Sequence, residues 1–401
     1  MQTGGKTIAT FLTAYILSAF GFEFVFFLMT IYVYELTHSA LNVGVFAALT
    51  FVPRLFAPLY GVIIDRHSRT KVFTFTAAAA AVCVSMMSFN PGLAGIYALW
   101  LLISVLLTVI TTVRTALMTE TIAKDGFLLG NSAVLTSLNC AKMLAPFLAG
   151  IAAAAFSTSA LFLATGLVYL AVAALSRLIR LPRPAASAGT RKLLPDVAAG
   201  LRYILASSQL RFLIAVAFLW ALSLRLQVPL FVVYVKTSFG GGDPEYGLFM
   251  TVAGLGSILG SLAGPWLMKR GKPRSLAFAG LTVHYASFAL LGYIDSFPLA
   301  AATVFCSYVF FYAALVGIHS LRDLATAADL RGRVYGSVTA VLTPAAIVSM
   351  LVGGYLAGNI GVDKVLAGAG LIALGTLYLL YYFASRRWAG EAEGLLTPAG
   401  K

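Results

Sequence analysis

Charged side chains are scarce in this sequence: they make up 10% of its 401 residues, and only 14 are Asp or Glu. Soluble domains carry roughly 25% charged residues, so this chain cannot solvate a globular surface in water. Cysteine is rarer still, and Cys83, Cys140 and Cys306 show neither pairing nor metal-ligand spacing. A disulfide scaffold and a thiolate metal centre are thereby excluded, and the three read as small apolar fillers. Among four histidines, His284 and His319 have no ligand-spaced companion; packing or hydrogen bonding suits them better than a metal. Also missing are G-x-x-x-x-G-K-[ST], H-E-x-x-H and G-x-S-x-G, and any cluster of His, Asp or Ser near one interface. Neither an ATP-driven pump nor a membrane-embedded enzyme is expected, and no cofactor. No small-residue cleavage site follows the first apolar run, which is too long for a signal peptide and reads as an uncleaved first span.

What the chain has in excess is apolar length. Hydrophobic residues make up 60% of it, and a helix needs ~20 of them to cross ~30 Å of hydrocarbon. Such runs fall near 8–34, 41–64, 72–89, 94–118, 131–154 and 159–179, then near 210–235, 247–268, 276–294, 298–319, 335–358 and 365–385. Twelve spans are predicted, in an all-α integral membrane protein. The net charge of +14 is explained by where the bases sit. With a cytoplasmic N-terminus, 22 of the 28 Lys and Arg residues fall in inner loops and tails and two, Lys236 and Lys364, in outer loops. The remaining four, Arg54, Arg114, Lys142 and Arg225, lie within spans. This is the positive-inside pattern. It predicts both termini on the cytoplasmic side and removes the reason to expect a nucleic-acid partner.

The longest polar interruption divides the spans six and six. It implies a bundle over 1–180, a linker over 181–208, a second bundle over 209–388 and a tail over 389–401. Within the linker, LPDVAAGLRYIL (194–205) has Pro195 at its start and Val197, Leu201, Ile204 and Leu205 on one helical face. It is either an amphipathic helix on the membrane surface or a plain tether. The halves repeat: GVIIDRHSRTK (61–71) and GPWLMKRGKPR (264–274) lie 203 residues apart, as do Gly44 and Gly247. VYELT (33–37) and VYVKT (233–237) match at an offset of 200. Parallel six-span repeats are a transporter architecture. Gly256, Gly260 and Gly264, like Gly354 and Gly358, recur every four residues. Such glycines mark either a sliding seam or plain tight packing of helices.

The segment 61–71 resembles the signature loop of the major facilitator superfamily, G-x-x-x-D-R-x-G-R-R/K-x. Gly61, Asp65, Arg66, Arg69 and Lys71 fill its key places, Ser68 replaces the second glycine, and in the 264–274 repeat Met268 replaces the acid. The resemblance implies two pseudo-symmetric six-helix bundles and transport by alternating access. For Asp65 it implies a conformational lock at a helix end, through N–H capping and pairing with bases. CAKMLAPFLAG (140–150) is similar to the fifth-span motif of exporters in this superfamily, keeping Pro146 and Gly150 with Ala145 for a glycine. PRLFAPLYG (53–61), DVAAGLRYIL (196–205) and LRGRVYG (330–336) resemble the macrolide-efflux and siderophore-export branch, whereas SAFG (18–21) is similar to lysophospholipid carriers.

An ionisable group at the bilayer centre costs about 2.5–3.5 kcal/mol. Glu23 is the only acid well inside a span, which makes it the candidate proton-coupling group, or else a structural partner for Lys142 or another base. Under the repeat offset it corresponds to Ser223, two residues before Arg225, so an acid and a base face each other across the pseudo-twofold. Arg114, in a weak likeness to an antiporter motif, is expected to snorkel to the inner interface. Arg54, after Pro53, reads as helix-stabilising. Phe20, Phe22, Phe24, Phe26 and Phe27 offer a wall for an amphiphile, although helical spacing points them several ways. Four bases against one acid favour an anionic solute. The sequence thus predicts a monomeric, proton-coupled exporter of small organic compounds, drug or siderophore, in a bacterial-type inner membrane. Lysophospholipid or nutrient uptake, and a non-transporting receptor on this scaffold, are the alternatives.

Overall fold

The computed structural model describes residues 5–121, 127–179, 193–270, 273–327 and 330–388. Among these the regular structure is helical. The first half comprises α1 (Gly5–Thr37), α2 (Ala40–Phe51), α3 (Ala57–Arg66), α4 (Arg69–Met86), α5 (Gly92–Thr121), α6 (Phe127–Ala155) and α7 (Thr158–Arg177). The second comprises α8 (Leu193–Ala206), α9 (Ser208–Ser238), α10 (Asp243–Arg270), α11 (Pro273–Leu291), α12 (Phe297–Leu324), α13 (Arg331–Ile360) and α14 (Val362–Trp388). Among the described residues, ten stretches are long and apolar enough to cross a bilayer. The second span is broken: Pro53 withholds a backbone donor, and the 3-10 turn Val52–Phe56 joins α2 to α3. With that composite and the 19-residue α11 the fold has twelve spans.

Short turns set the span ends. Ser39 caps α2 by accepting from the Asn42 N–H at 3.3 Å. Asn90 adopts a left-handed φ of 50° between α4 and α5, a conformation Asn tolerates, and its side chain accepts from the Tyr32 hydroxyl at 2.8 Å. Each unit by itself has a basic end, beside residues 66–69 in the first and 270–273 in the second, and an opposite, far end.

The chain forms two compact units. In the first, α1 packs on α6 and α7, and α4 on α5 and α7. This unit also takes in Val228–Leu255 and Met350–Asn359, the far-end parts of α9, α10 and α13. Lipid offers no hydrophobic drive between helices, so close approach must come from small residues. A Cβ on Gly44 would stand 2.5 Å from the Met350 carbonyl oxygen, and one on Gly354 2.5 Å from that of Ala40. A Cβ on Gly150 would stand 2.5 Å from the Asp243 carbonyl oxygen, and one on Gly247 2.8 Å from that of Pro146. Pro146 and Gly150 thus seat α6 directly on the start of α10. Phe27, 3% exposed, stacks on Tyr246 at 4.5 Å.

In the second unit α11 packs on α12 and α14 around Leu281, Tyr285, Phe311, Ala314, Ala373 and Leu377. Gly256, Gly260 and Gly264 meet the backbone or side chains of α12 at Phe305, Val309 and Val316. Of the two readings of that glycine row, the contacts here are those of tight packing between α10 and α12. Gly354 makes an equally close crossing, whereas a Cβ on Gly358 would meet nothing within 4 Å. The linker helix α8 is docked on protein. The Ser337 hydroxyl donates to the Val197 carbonyl at 2.9 Å, and Ile204 is buried with Leu210, Val334 and Val338. Part of its apolar face is therefore covered by α13, while Leu205 on the same face is 62% exposed. The rest of the linker, 180–192, and the tail, 389–401, lie outside the described residues.

Replacing Gly150 with Ala is expected to lower the thermal midpoint in detergent by several degrees, because over-packing costs about 1–3 kcal/mol. Gly61→Ala, where a Cβ would meet nothing within 4 Å, should leave the midpoint unchanged. Equal midpoints for the two variants would contradict the α6–α10 crossing.

Candidate functional site

The sequence marks Glu23 as the one acid deep in a span, and the structure gives it a neighbourhood. It lies past the middle of α1, partly buried. Its carboxyl group interacts electrostatically with Arg114 of α5 and Tyr169 of α7. Arg114 is only 7% exposed and does not snorkel. Its guanidinium carbon lies 4.0 Å from the Tyr15 ring centroid, and its Nη1 donates to the Ser18 hydroxyl at 3.2 Å and the Tyr15 carbonyl at 3.5 Å. The Arg114 Nε and the Tyr169 hydroxyl have no hydrogen-bond partner among the described residues. Tyr169 is seated by Gly21, on which a Cβ would come within 3.3 Å of its ring. Glu23 is the sole carboxylate acting on this buried cation among the described groups, so protonating it would remove the countercharge.

The remaining span bases stand elsewhere. Lys142 is exposed on α6, on a turn that faces α10, where a Cβ on Gly254 would lie 3.6 Å from the Lys142 carbonyl oxygen. Arg54 is exposed in the 3-10 turn of the second span and stacks on Phe51 at 4.3 Å. Both sit near mid-span, where a cation facing hydrocarbon is costly. In the second unit Arg225 is half-buried on α9, beside the buried Ser223. In the signature loop Arg66 and Lys71 are exposed and Arg69 is half-buried. Asp65 occupies the last turn of α3, and its side chain lies outside the described ones. The first-span aromatics mostly pack on helices, Phe20 stacking on Phe24 and Phe26 meeting Phe46 and Trp100.

Two groupings escaped the sequence reading. At the far end of the first unit Lys236 Nζ lies 2.9 Å from Glu35 Oε1 and 2.6 Å from Asp243 Oδ1. One cation thereby joins α1, α9 and the first turn of α10. In the second unit Tyr308 donates to Gln227 Oε1 at 2.8 Å, and His284 Nδ1 pairs with the Ser307 hydroxyl at 2.7 Å. Gln227 and His284 are 1% and 0% exposed, and His284 keeps the packing and hydrogen-bonding role expected of it. The signal for the first grouping was available, since Asp243 and Glu245 open α10 as acids do at a helix N-terminus. The second had none, because a lone polar residue on an apolar span names no partner.

Comparison with known proteins follows this geometry. The sequence model described as Major Facilitator Superfamily matches residues 11–349. No curated protein sequence matches the chain. Among solved structures, the nucleoside transporter NupG superposes with a TM-score of 0.77 at 10% identity, over 94% of this chain and 100% of that one. A bacterial homologue of the human lysosomal transporter Spinster gives 0.72 at 13% identity, over 95% and 96%. A bacterial homologue of the iron transporter ferroportin gives 0.73 at 18%, over 94% and 99%. At such identities the likeness is one of fold. On the family match and the twelve-span architecture together, the chain belongs to the Major Facilitator Superfamily of multi-pass membrane transporters.

Proposed function

We propose that this transporter is a proton-coupled exporter of small anionic or amphiphilic organic compounds, working as a monomer by alternating access in an inner membrane with both termini cytoplasmic. The observation that carries the proposal is the electrostatic set Glu23, Arg114 and Tyr169 inside the first unit. Protonation of Glu23 leaves Arg114 without its carboxylate, and a conformation that rehydrates the guanidinium then gains. Release of the proton restores the pair. A group whose charge state selects between conformations is what gradient coupling requires.

Arg54 and Lys142, exposed near mid-span in the first unit, support an anionic cargo. A cation there avoids the cost of lipid only where water or a counter-charge reaches it. Arg225, on the span that repeats the first, is assigned the matching role in the second unit. The likeness of 140–150 to exporters supports the direction, and the basic excess at 61–71 and 264–274 supports the orientation. The close-packed far end of the first unit is assigned one of the two closures alternation needs. The signature loop is assigned the other, with Asp65 pairing with its basic neighbours.

The test is a panel of drugs, siderophores and lysophospholipids in inside-out vesicles, with and without an imposed pH gradient. Uptake of an anionic drug or siderophore that collapses with the gradient is the expected result. Gradient-independent movement of lysophospholipid would instead establish a lipid carrier.

A further inference from the structure

The second span and its repeat in the second unit differ at one point. α10 runs unbroken over Asp243–Arg270, whereas its counterpart is divided by the turn Val52–Phe56. At the repeat offset of 203, Pro53 and Pro58 correspond to Gly256 and Ser261. Each proline withholds the N–H that would close a helical turn, and its ring crowds the carbonyl four residues back. Between the two the chain narrows to a 3-10 turn, and the Ala57 N–H reaches only to the Arg54 carbonyl. Phe56, at φ −101° and ψ 6°, leaves the helical basin altogether.

The two pieces on either side of the turn are held differently. In α2, eight of the twelve residues are buried. Trp100 of α5 donates to the Thr50 hydroxyl at 3.0 Å, the Tyr97 hydroxyl donates to the Asn42 carbonyl at 3.3 Å, and Gly44 lies against the Met350 backbone. α3 also runs along α5, but among its described side chains only Ile64 is buried, and Leu59 is 53% exposed. Gly61 gives the contrast most directly. A Cβ there would meet nothing within 4 Å, whereas on its repeat partner Gly264 it would stand 3.1 Å from Val316. A 3-10 stretch inside a helix often marks a hinge, and the more loosely packed side of a hinge is the one that moves.

We infer that Val52–Phe56 is a hinge on which α3 swings while α2 stays fixed. The swing carries Asp65 and the signature loop, at the end of α3, to and from the closure assigned to them. The swing itself does not depend on the transport reading, whereas its effect on flux rests on it.

Hydrogen–deuterium exchange of the purified full-length protein in lipid nanodiscs tests the hinge. Amides of 57–66 are expected to exchange about tenfold faster than those of 260–269, the matched stretch of the repeat, a factor equal to about 1.4 kcal/mol of opening. Those of 40–51 should stay protected. Pro53→Ala with Pro58→Ala restores both backbone donors, so it should bring 57–66 close to the rate of 260–269. The same variant should slow solute exchange several-fold without changing solute affinity. Equal exchange of 57–66 and 260–269 in wild type, an arm that needs no substitution, would overturn the inference. So would a double variant whose 57–66 amides keep the wild-type rate. Wild-type flux in a double variant with slowed exchange would overturn the link to the closure, and would leave the coupling assigned to Glu23 as it stands.

Discussion

Glu23→Gln is expected to cut gradient-driven accumulation about tenfold while leaving downhill exchange of the same solute measurable. Glutamine keeps the size and hydrogen-bonding reach of the side chain and removes only the titration, so the variant isolates charge from packing. In wild type, gaining a proton at Glu23 strips the countercharge from Arg114, a cation 7% exposed and held otherwise by a ring face, a hydroxyl and a carbonyl. Glu23 is only partly buried, so loss of its charge is discounted for solvent screening to about 1–1.5 kcal/mol. An equilibrium moved by about 1.4 kcal/mol changes tenfold. Glutamine makes that shift permanent, so accumulation should fall by this factor and exchange should lose its pH dependence. Arg114→Lys preserves the charge but not the planar contact with Tyr15, and should weaken coupling less than Arg114→Gln. Tyr169→Phe removes a hydroxyl without a hydrogen-bond partner among the described residues and should alter exchange little. If Glu23→Gln accumulated solute with the wild-type pH profile, the proposed coupling would be lost with it.

The spans were readable because hydropathy needs no partner: length and apolarity alone decide whether a segment can cross. Where a span departs from that rule, local chemistry marks it, as Pro53 does at the 3-10 break between α2 and α3. The partner of Glu23 was a different matter. The sequence named Lys142 or another span base as its structural partner and set Arg225 across the pseudo-twofold, and that Arg114 acts on Glu23 follows only from the folded arrangement. Arg114 looked able to snorkel because its distance from the helix end was visible, whereas its cover by Tyr15 was not. Lys142 looked buried because its span is apolar, yet it sits on an exposed face. The glycine rows show the same division. Spacing announces that backbones approach closely, but not that Gly256, Gly260 and Gly264 serve α12 while Gly150 and Gly247 serve the α6–α10 crossing.

Lys236 went unnoticed for a related reason: counted as an outer-loop base, it contributed only to topology. In the structure it is the shared cation of two carboxylates. Its substitution by Met is expected to open the far end of the first unit. The Lys236 and Asp243 side chains are 14% and 11% exposed and 2.6 Å apart, while Glu35 is 46% exposed. The pair with Asp243 therefore carries most of the effect, and that with Glu35 is discounted for solvent screening. Removing the lysine leaves two carboxylates converging on one point, one of them mostly desolvated, at a cost of about 2–3 kcal/mol. Opposing this is the glycine-mediated packing of α6 on α10 and of α2 on α13, with the Phe27–Tyr246 stack. Minor conformations lie only a few kcal/mol above the major one, so the loss is large enough to move the population. A cysteine at Phe27, in a background carrying Cys140→Ser and Cys306→Ser since both native thiols are exposed, reports the change. Its reaction with an impermeant maleimide should quicken by roughly tenfold or more in Lys236→Met, as each 1.4 kcal/mol is a factor of ten. Glu35→Gln with Asp243→Asn added to Lys236→Met removes the repulsion and should return the rate most of the way. Unchanged labelling in the single variant would mean that packing alone closes this end and that the ion triad is incidental.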